Sequence, residues 1–120
     1  MTKSITEFAE EWIAAWNSHD LERILSHYAA DIVFTSPRAA ARLPHTRGTV
    51  RGIDQLREYW APHGEIRSEL KFTLEGVLET AGGCTILYRD ENDLLVAETM
   101  LLEADKVVQG IVSRATTPSQ

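Results

Sequence analysis

An acid set in an apolar strand face is the first chemical signal in this sequence. Leu94, Val96, Met100 and Leu102 alternate along one face of a predicted strand, and Glu98 sits among them. If that face is inward, burial raises the carboxyl pKa and makes Glu98 a candidate general acid or base. If it is solvated or lies between subunits, Glu98 is a structural partner for Arg114 or Arg89. Tyr88 shares a face with Cys84 and Ile86, where its hydroxyl can reach a pocket; the competing reading is a core tyrosine with a satisfied hydroxyl. Ser36, at the end of an earlier strand, shares a face with Ile32 and Phe34 by the two-residue period. Glu98, Tyr88 and Ser36 form the candidate catalytic set.

The other reactive side chains carry less. His19, His27, His45 and His63 show no metal spacing: His19 and His27 stand eight residues apart across a helix start, and no H-x-x-x-H occurs. His19 reads as structural. His45 lies with Arg38, Arg42 and Arg47 in an aperiodic stretch, a cationic cluster that is read either as a solvated loop or as a greeting for an anionic substrate. Cys84 reads as a small core hydrophobe. No Gly-rich phosphate motif follows a strand and no nucleophile elbow occurs, so neither an organic cofactor nor a metal is implied.

The elements that must position these residues follow from periodicity. Ser4 and Glu7 have capping-box spacing, and Ile5, Phe8, Ala9, Trp12, Ala15 and Trp16 form a helical stripe behind them. Asp20 caps a second helix with Leu21, Ile24, Leu25 and Tyr28 on one face. Ile32 to Thr35 is a short strand that Pro37 ends, and Arg38 to Thr49 reads as a loop. Gly48 and Gly52 bracket a brief edge strand. Ile53, Leu56, Tyr59 and Trp60 follow helical spacing until Pro62 and Gly64. From Leu70 the period becomes two, and strands are predicted from Leu70, over Cys84 to Arg89, Leu94 to Leu102 and Lys106 to Ala115. Three helices in the N-terminal half and an antiparallel meander after them make an α+β domain, with the helices on one face of a curved sheet.

The bulk properties agree. The chain has 120 residues, 43% hydrophobic and 25% charged, which suits one domain over residues 1–120 with an ordered core of about 4–115. A net charge of −6 argues against nucleic acid as a partner. No apolar run approaches the roughly 20 residues that span a membrane, and acids stand where a secretory signal would be apolar. A lone cysteine cannot form an internal disulfide, so the reducing cytoplasm is the natural compartment.

The run W-N-x-H-D-L-E-x-I-L-x-x-Y-A-x-D-I-V-F-x-S-P at residues 16–37, with G-T-V-R-G-I-D-Q-L-R-E-Y-W at 48–60, resembles the nuclear-transport-factor-2-like superfamily. Within it the chain is most similar to the SnoaL-like and ketosteroid-isomerase-like branch. The resemblance implies a cone-shaped, mostly antiparallel sheet wrapped round an apolar pocket, usually in a homodimer. Trp12, Trp16, Phe34, Tyr59, Trp60 and Met100 are then candidate pocket-lining residues, with one of Tyr59 and Trp60 facing solvent or a partner subunit. In the steroid-isomerase branch an aspartate before the proline ending the first strand is the general base; here that position is Ser36. That branch's first-helix tyrosine falls on Trp12, and its late-strand protonated acid falls near Glu98. A hydroxyl without an adjacent base cannot take a carbon-bound proton, so steroid isomerisation by the aspartate–tyrosine mechanism is disfavoured.

Two functions stay open. One is a cofactor-independent acid/base enzyme, of isomerase, cyclase or hydrolase type, acting on a small apolar or weakly anionic metabolite. The other is a non-catalytic ligand-binding or dimerisation module. Apolar residues on both faces of the Leu94–Leu102 strand predict a homodimer through the sheet.

Overall fold

A computed structural model describes residues 4–61 and 66–116 of the chain. Pro62, His63 and Gly64 lie outside the described residues, as do the ends 1–3 and 117–120, so the expected helix stop and the loose termini are not treated further.

Helix α1 (Ile5–Ser18) begins at the reciprocal cap its spacing implied: the Glu7 amide donates to Ser4 Oγ and the Ser4 amide to Glu7 Oε1, both at 3.0 Å. It buries Phe8, Ala9, Trp12, Ile13, Ala15 and Trp16. His19 ends it in the left-handed region (φ 61°), and its ring Nε2 sits 2.8 Å from the Leu70 carbonyl. Asp20 caps α2 (Leu21–Leu25) by accepting from the Glu22 and Arg23 amides. Arg23 returns to α1 as a two-pronged donor to Glu11, at 3.0 and 3.1 Å, and this pairing holds the Glu11 carboxyl below its ordinary pKa.

Strand β1 (Tyr28–Thr35) starts four residues earlier than predicted. Tyr28, expected on the face of the second helix, is its first residue; spacing from Leu21 satisfied a helix, but the chain leaves α2 at Ser26. The stretch expected as a loop folds into α3 (Pro37–Arg42) and a 3₁₀ turn (Pro44–Thr46). Ser36 Oγ accepts from the Arg38 amide and Pro37 occupies the first turn, a start signal that outweighs the lack of an apolar stripe. Gly48 (φ +93°) then turns the chain into β2 (Thr49–Arg51), where an added Cβ would lie 3.1 Å from the Ser36 carbonyl oxygen and 3.2 Å from Ala40 Cβ. Helix α4 (Ile53–Trp60) follows.

The second half is strand throughout: β3 (Thr73–Thr80), β4 (Gly83–Arg89), β5 (Leu95–Glu103) and β6 (Lys106–Arg114). Leu70 and Phe72, expected inside β3, precede it. They are buried as the alternation demanded, but Phe72 spends its backbone groups on Asn17 of α1, donating at 2.7 Å and accepting at 2.9 Å, instead of on a strand. The sheet order is β2-β1-β6-β5-β4-β3, antiparallel except where β1 meets β6. Gly83 lies so close to β5 that any Cβ there would overlap the Met100 carbonyl. The result is α+β: an open, curved, six-stranded sheet with the helices packed on its concave side. Among the described residues no helix is long and apolar enough to cross a membrane.

Candidate functional site

The helices and the sheet meet in a cluster of aromatic rings. Phe72 stacks on Trp12 (6.1 Å between centroids) and on Tyr88 (4.3 Å), and Trp60 stands edge-on to Trp16 (4.9 Å), Tyr28 and Phe34 (both 5.2 Å). Tyr59 and Trp60 are both buried, at 4% and 1% exposure, so neither faces solvent as expected. They close the cluster because α4 lays both rings against β1, where Phe34 touches each.

Register brings Glu98 and Tyr88 together. Tyr88 pairs with Val96 and Ile86 with Glu98 across β4 and β5, which makes Tyr88 and Glu98 diagonal neighbours on the inner face. The Tyr88 hydroxyl donates to Glu98 Oε1 at 2.7 Å, and the two side chains are 2% and 6% exposed at residue level. Of the arginines considered as partners for Glu98, Arg114 pairs with Asp90 at 3.4 Å and Arg89 with Glu75 and Asp93. Burial first, then the nearby Glu98 charge, pushes the Tyr88 phenol well above its ordinary pKa. Tyr28 is shifted upward by the same two causes. Both phenols are thus held toward their neutral form; Tyr88 donates to Glu98, and Tyr28 accepts from Trp12.

Behind this pair, Trp12 Nε1 donates to Tyr28 Oη at 2.9 Å. The Trp16 N–H leans toward the same hydroxyl, near enough to favour its ionised form slightly, yet it reaches no hydrogen-bonding geometry and is buried without a partner. Such an orphaned donor is costly and uncommon. The Trp16 side chain, with Glu98, Tyr88 and Ser36, lines a cavity of about 30 Å³, so the structure brings the three candidates to one space. Room for a water needs about 10–15 Å³, so this cavity holds on the order of two.

Of the predicted lining residues, Trp16, Phe34, Tyr59 and Trp60 border the cavity. Trp12 and Met100 do not; both are fully enclosed in the core. Ser36 Oγ accepts from the α3 amide, and its hydroxyl hydrogen and second lone pair are what it can offer the cavity. Arg38, named in the cationic cluster, and Arg114 line the cavity with Arg67 and Asp90, which sequence reasoning missed as site residues. Asp90 is a hairpin residue whose carboxylate accepts from the Asn92 and Leu94 amides, so a turn signal concealed a buried acid. Arg67 pairs with Glu91 beside it. Cys84 is buried and its thiol pKa is raised by that burial. Among the described residues no group of three or more His, Cys, Asp or Glu side chains converges as a metal site would require.

The arrangement offers two carboxyl groups, Glu98 and the turn-bound Asp90, with a phenol fixing one oxygen of Glu98, beside aromatic walls. That inventory suits a flat molecule bearing oxygen.

Residues 9–109 match the model of the SnoaL-like domain family. A crystal structure of a SnoaL-like protein of unknown function from Burkholderia thailandensis is 32% identical, with a TM-score of 0.86 over 92% of this chain and 93% of that one. A putative ketosteroid isomerase from Kribbella flavida is 12% identical (TM-score 0.72, 95% and 79% covered). A protein of unknown function with a cystatin-like fold from Methylobium petroleophilum is 13% identical (TM-score 0.70, 97% and 78%). None of the curated proteins compared matches the chain.

Proposed function

Because the chain belongs to the SnoaL-like domain family, we propose that it binds a small, largely apolar metabolite between helices and sheet, and that Glu98 moves a proton on that metabolite without a cofactor. The observation that carries this reading is the buried Tyr88–Glu98 pair beside a cavity that Trp16 also lines. A buried carboxyl group is costly, and an apolar residue of similar volume would serve packing as well or better. Keeping it beside an aromatic cavity supports a ligand's presence there. Ser36, in its capping role, supplies no base in place of the steroid-isomerase aspartate, which supports setting that mechanism aside.

The non-catalytic reading draws on one observation: about 30 Å³ admits no metabolite unless aromatic rings move aside. Native mass spectrometry of protein purified without denaturation tests for a ligand in either case. We expect a population heavier than the bare chain by one small molecule, released on denaturation. Retention that is equal in wild type and in a Trp16→Phe, Glu98→Gln double variant overturns the assignment of the ligand to this cavity.

A homodimer through the convex sheet face belongs to the same proposal. Leu78 and Ile111 are 56% and 41% exposed there, flanked by the half-buried Leu87, Leu95 and Leu101. Sedimentation velocity at micromolar concentration is expected to show a dimer, and Ile111→Glu to shift it to monomer by placing two like charges in the interface. A wild-type monomer at that concentration removes the proposal. Cytoplasmic residence is likewise proposed, supported by a lone, buried thiol.

A further inference from the structure

At about 30 Å³ the inner cavity is far smaller than a small-molecule site, so a ligand enters only when part of its wall moves. Most of the aromatic wall is built into regular elements: Trp16 on α1, Tyr59 and Trp60 on α4, Phe34 on β1 and Tyr88 on β4. Phe72 is not, because it ends a strap, residues 66–72, that runs up to β3 outside the sheet ladder. We propose that this strap is the gate of the cavity, with Glu91 as its latch and Phe72 as its door. The proposal rests on the reading of the cavity as a ligand site.

Side chains hold the strap where a ladder would hold a strand. Its own backbone bond is internal, from the Leu70 amide to the Arg67 carbonyl at 3.1 Å. On one side lies the end of α1. Asn17 accepts from the Phe72 amide at 2.7 Å and donates to its carbonyl at 2.9 Å, and His19 Nε2 donates to the Leu70 carbonyl at 2.8 Å. On the other side lies the β4–β5 turn, where Glu91 grips the strap twice. Its Oε2 pairs with Arg67, and its Oε1 accepts from the Lys71 amide at 3.4 Å. Burial raises the Glu91 carboxyl pKa, but its own amide and Arg67 outweigh that and hold it below the ordinary value. The latch is therefore charged at neutral pH.

The two grips differ in what they restrain. Asn17 and His19 fix backbone groups of Phe72 and Leu70 and set a pivot. Glu91 instead fixes the side chain of Arg67, which itself lines the cavity. Release of Glu91 lets Arg67 leave the wall. Phe72 then turns its ring away from Tyr88 and Trp12, whose ring centroids lie 4.3 Å and 6.1 Å from it, on a backbone that Asn17 still holds. Such an opening breaks a few side-chain contacts and no ladder, which places it at the low-stability end of the structure. Asp90, just before Glu91, accepts from the Asn92 and Leu94 amides and keeps the latch side rigid.

Stopped-flow binding of N-phenylnaphthylamine, a neutral probe that brightens in apolar cavities, tests the gate on the full-length protein. The observed rate is expected to level off with probe concentration, because the strap must open first. Glu91→Gln should raise that plateau about tenfold, the worth of one charge-assisted bond, and Arg67→Ala comparably. Hydrogen exchange gives a reading independent of any ligand. In Glu91→Gln the Leu70 amide should exchange about tenfold faster, while the Phe72 amide, held by Asn17, and the amides of β4 and β5 keep their rates. A rate linear in probe concentration and equal in wild type and both variants overturns the gate. So does a Leu70 amide that exchanges only together with those of β4 and β5. Faster Leu70 exchange with no probe bound to any form supports the gate and counts instead against a ligand in this cavity.

Discussion

Trp12→Ala is expected to lower the unfolding free energy by about 3–5 kcal/mol, the cost typical of truncating a buried tryptophan. Trp12 is fully enclosed, packs its ring against Phe72, Trp16 and Tyr88, and donates its N–H to Tyr28. Truncation removes those contacts and leaves the buried Tyr28 hydroxyl without its donor. Since domains of this size are stable by about 5–15 kcal/mol, such a loss brings the fold near its limit. Two milder changes separate packing from hydrogen bonding. Trp12→Phe keeps a ring but deletes the N–H to Tyr28, whereas Trp16→Phe deletes an N–H that has no partner. Urea unfolding should therefore show Trp12→Phe to be about 1–2 kcal/mol more damaging than Trp16→Phe, the worth of a buried hydrogen bond and its orphaned acceptor. Equal costs would mean that the two indole donors are equivalent, contrary to the geometry described.

The contrast between these tryptophans shows what sequence can and cannot carry. The stripe through Phe8, Trp12 and Trp16 announced a helix and its buried face, because helical period is a local property. Which indole would find an acceptor depended on Tyr28, and Tyr28 fitted a helical spacing from Leu21 while belonging to a strand. Helix α3 was hidden for a related reason. Six residues with three alanines give no stripe to read, and Ser36-Pro37, which opens the helix, looked like the end of a strand. Alternation through Leu70 and Phe72 named the right buried side chains, yet Asn17 had taken the backbone bonds that a strand would need. At the site, the face shared by Glu98 and Met100 was legible from parity alone. The partner of Glu98 was not, because a diagonal pair depends on register, and register here is set by the turn that Asp90 holds.

Glu98 and Tyr88 can be tested without knowing the ligand. Tyr88 donates to one oxygen of Glu98, a bond that favours the ionised carboxylate. Tyr88→Phe removes the donor, so the pH at which Glu98 ionises should rise. Carbon-13 NMR titration of the glutamate carboxyls measures this directly. The phenol itself, held well above its ordinary pKa by burial, cannot be mistaken for the titrating group. Stability then distinguishes function from architecture. Glu98→Leu replaces the acid by an apolar residue of comparable size in an aromatic cavity, and an acid kept for chemistry predicts stability equal to or above wild type. An acid kept for folding predicts a loss of about 3–5 kcal/mol, as when one member of a buried pair is removed. Once a substrate is in hand, Glu98→Gln should reduce turnover by about 10²–10⁴-fold, the range of general acid–base catalysis, with little change in binding. A Glu98→Leu protein that is strongly destabilised, together with a Glu98→Gln protein that still turns over, would assign the pair to the core and leave the SnoaL-like cavity to binding alone.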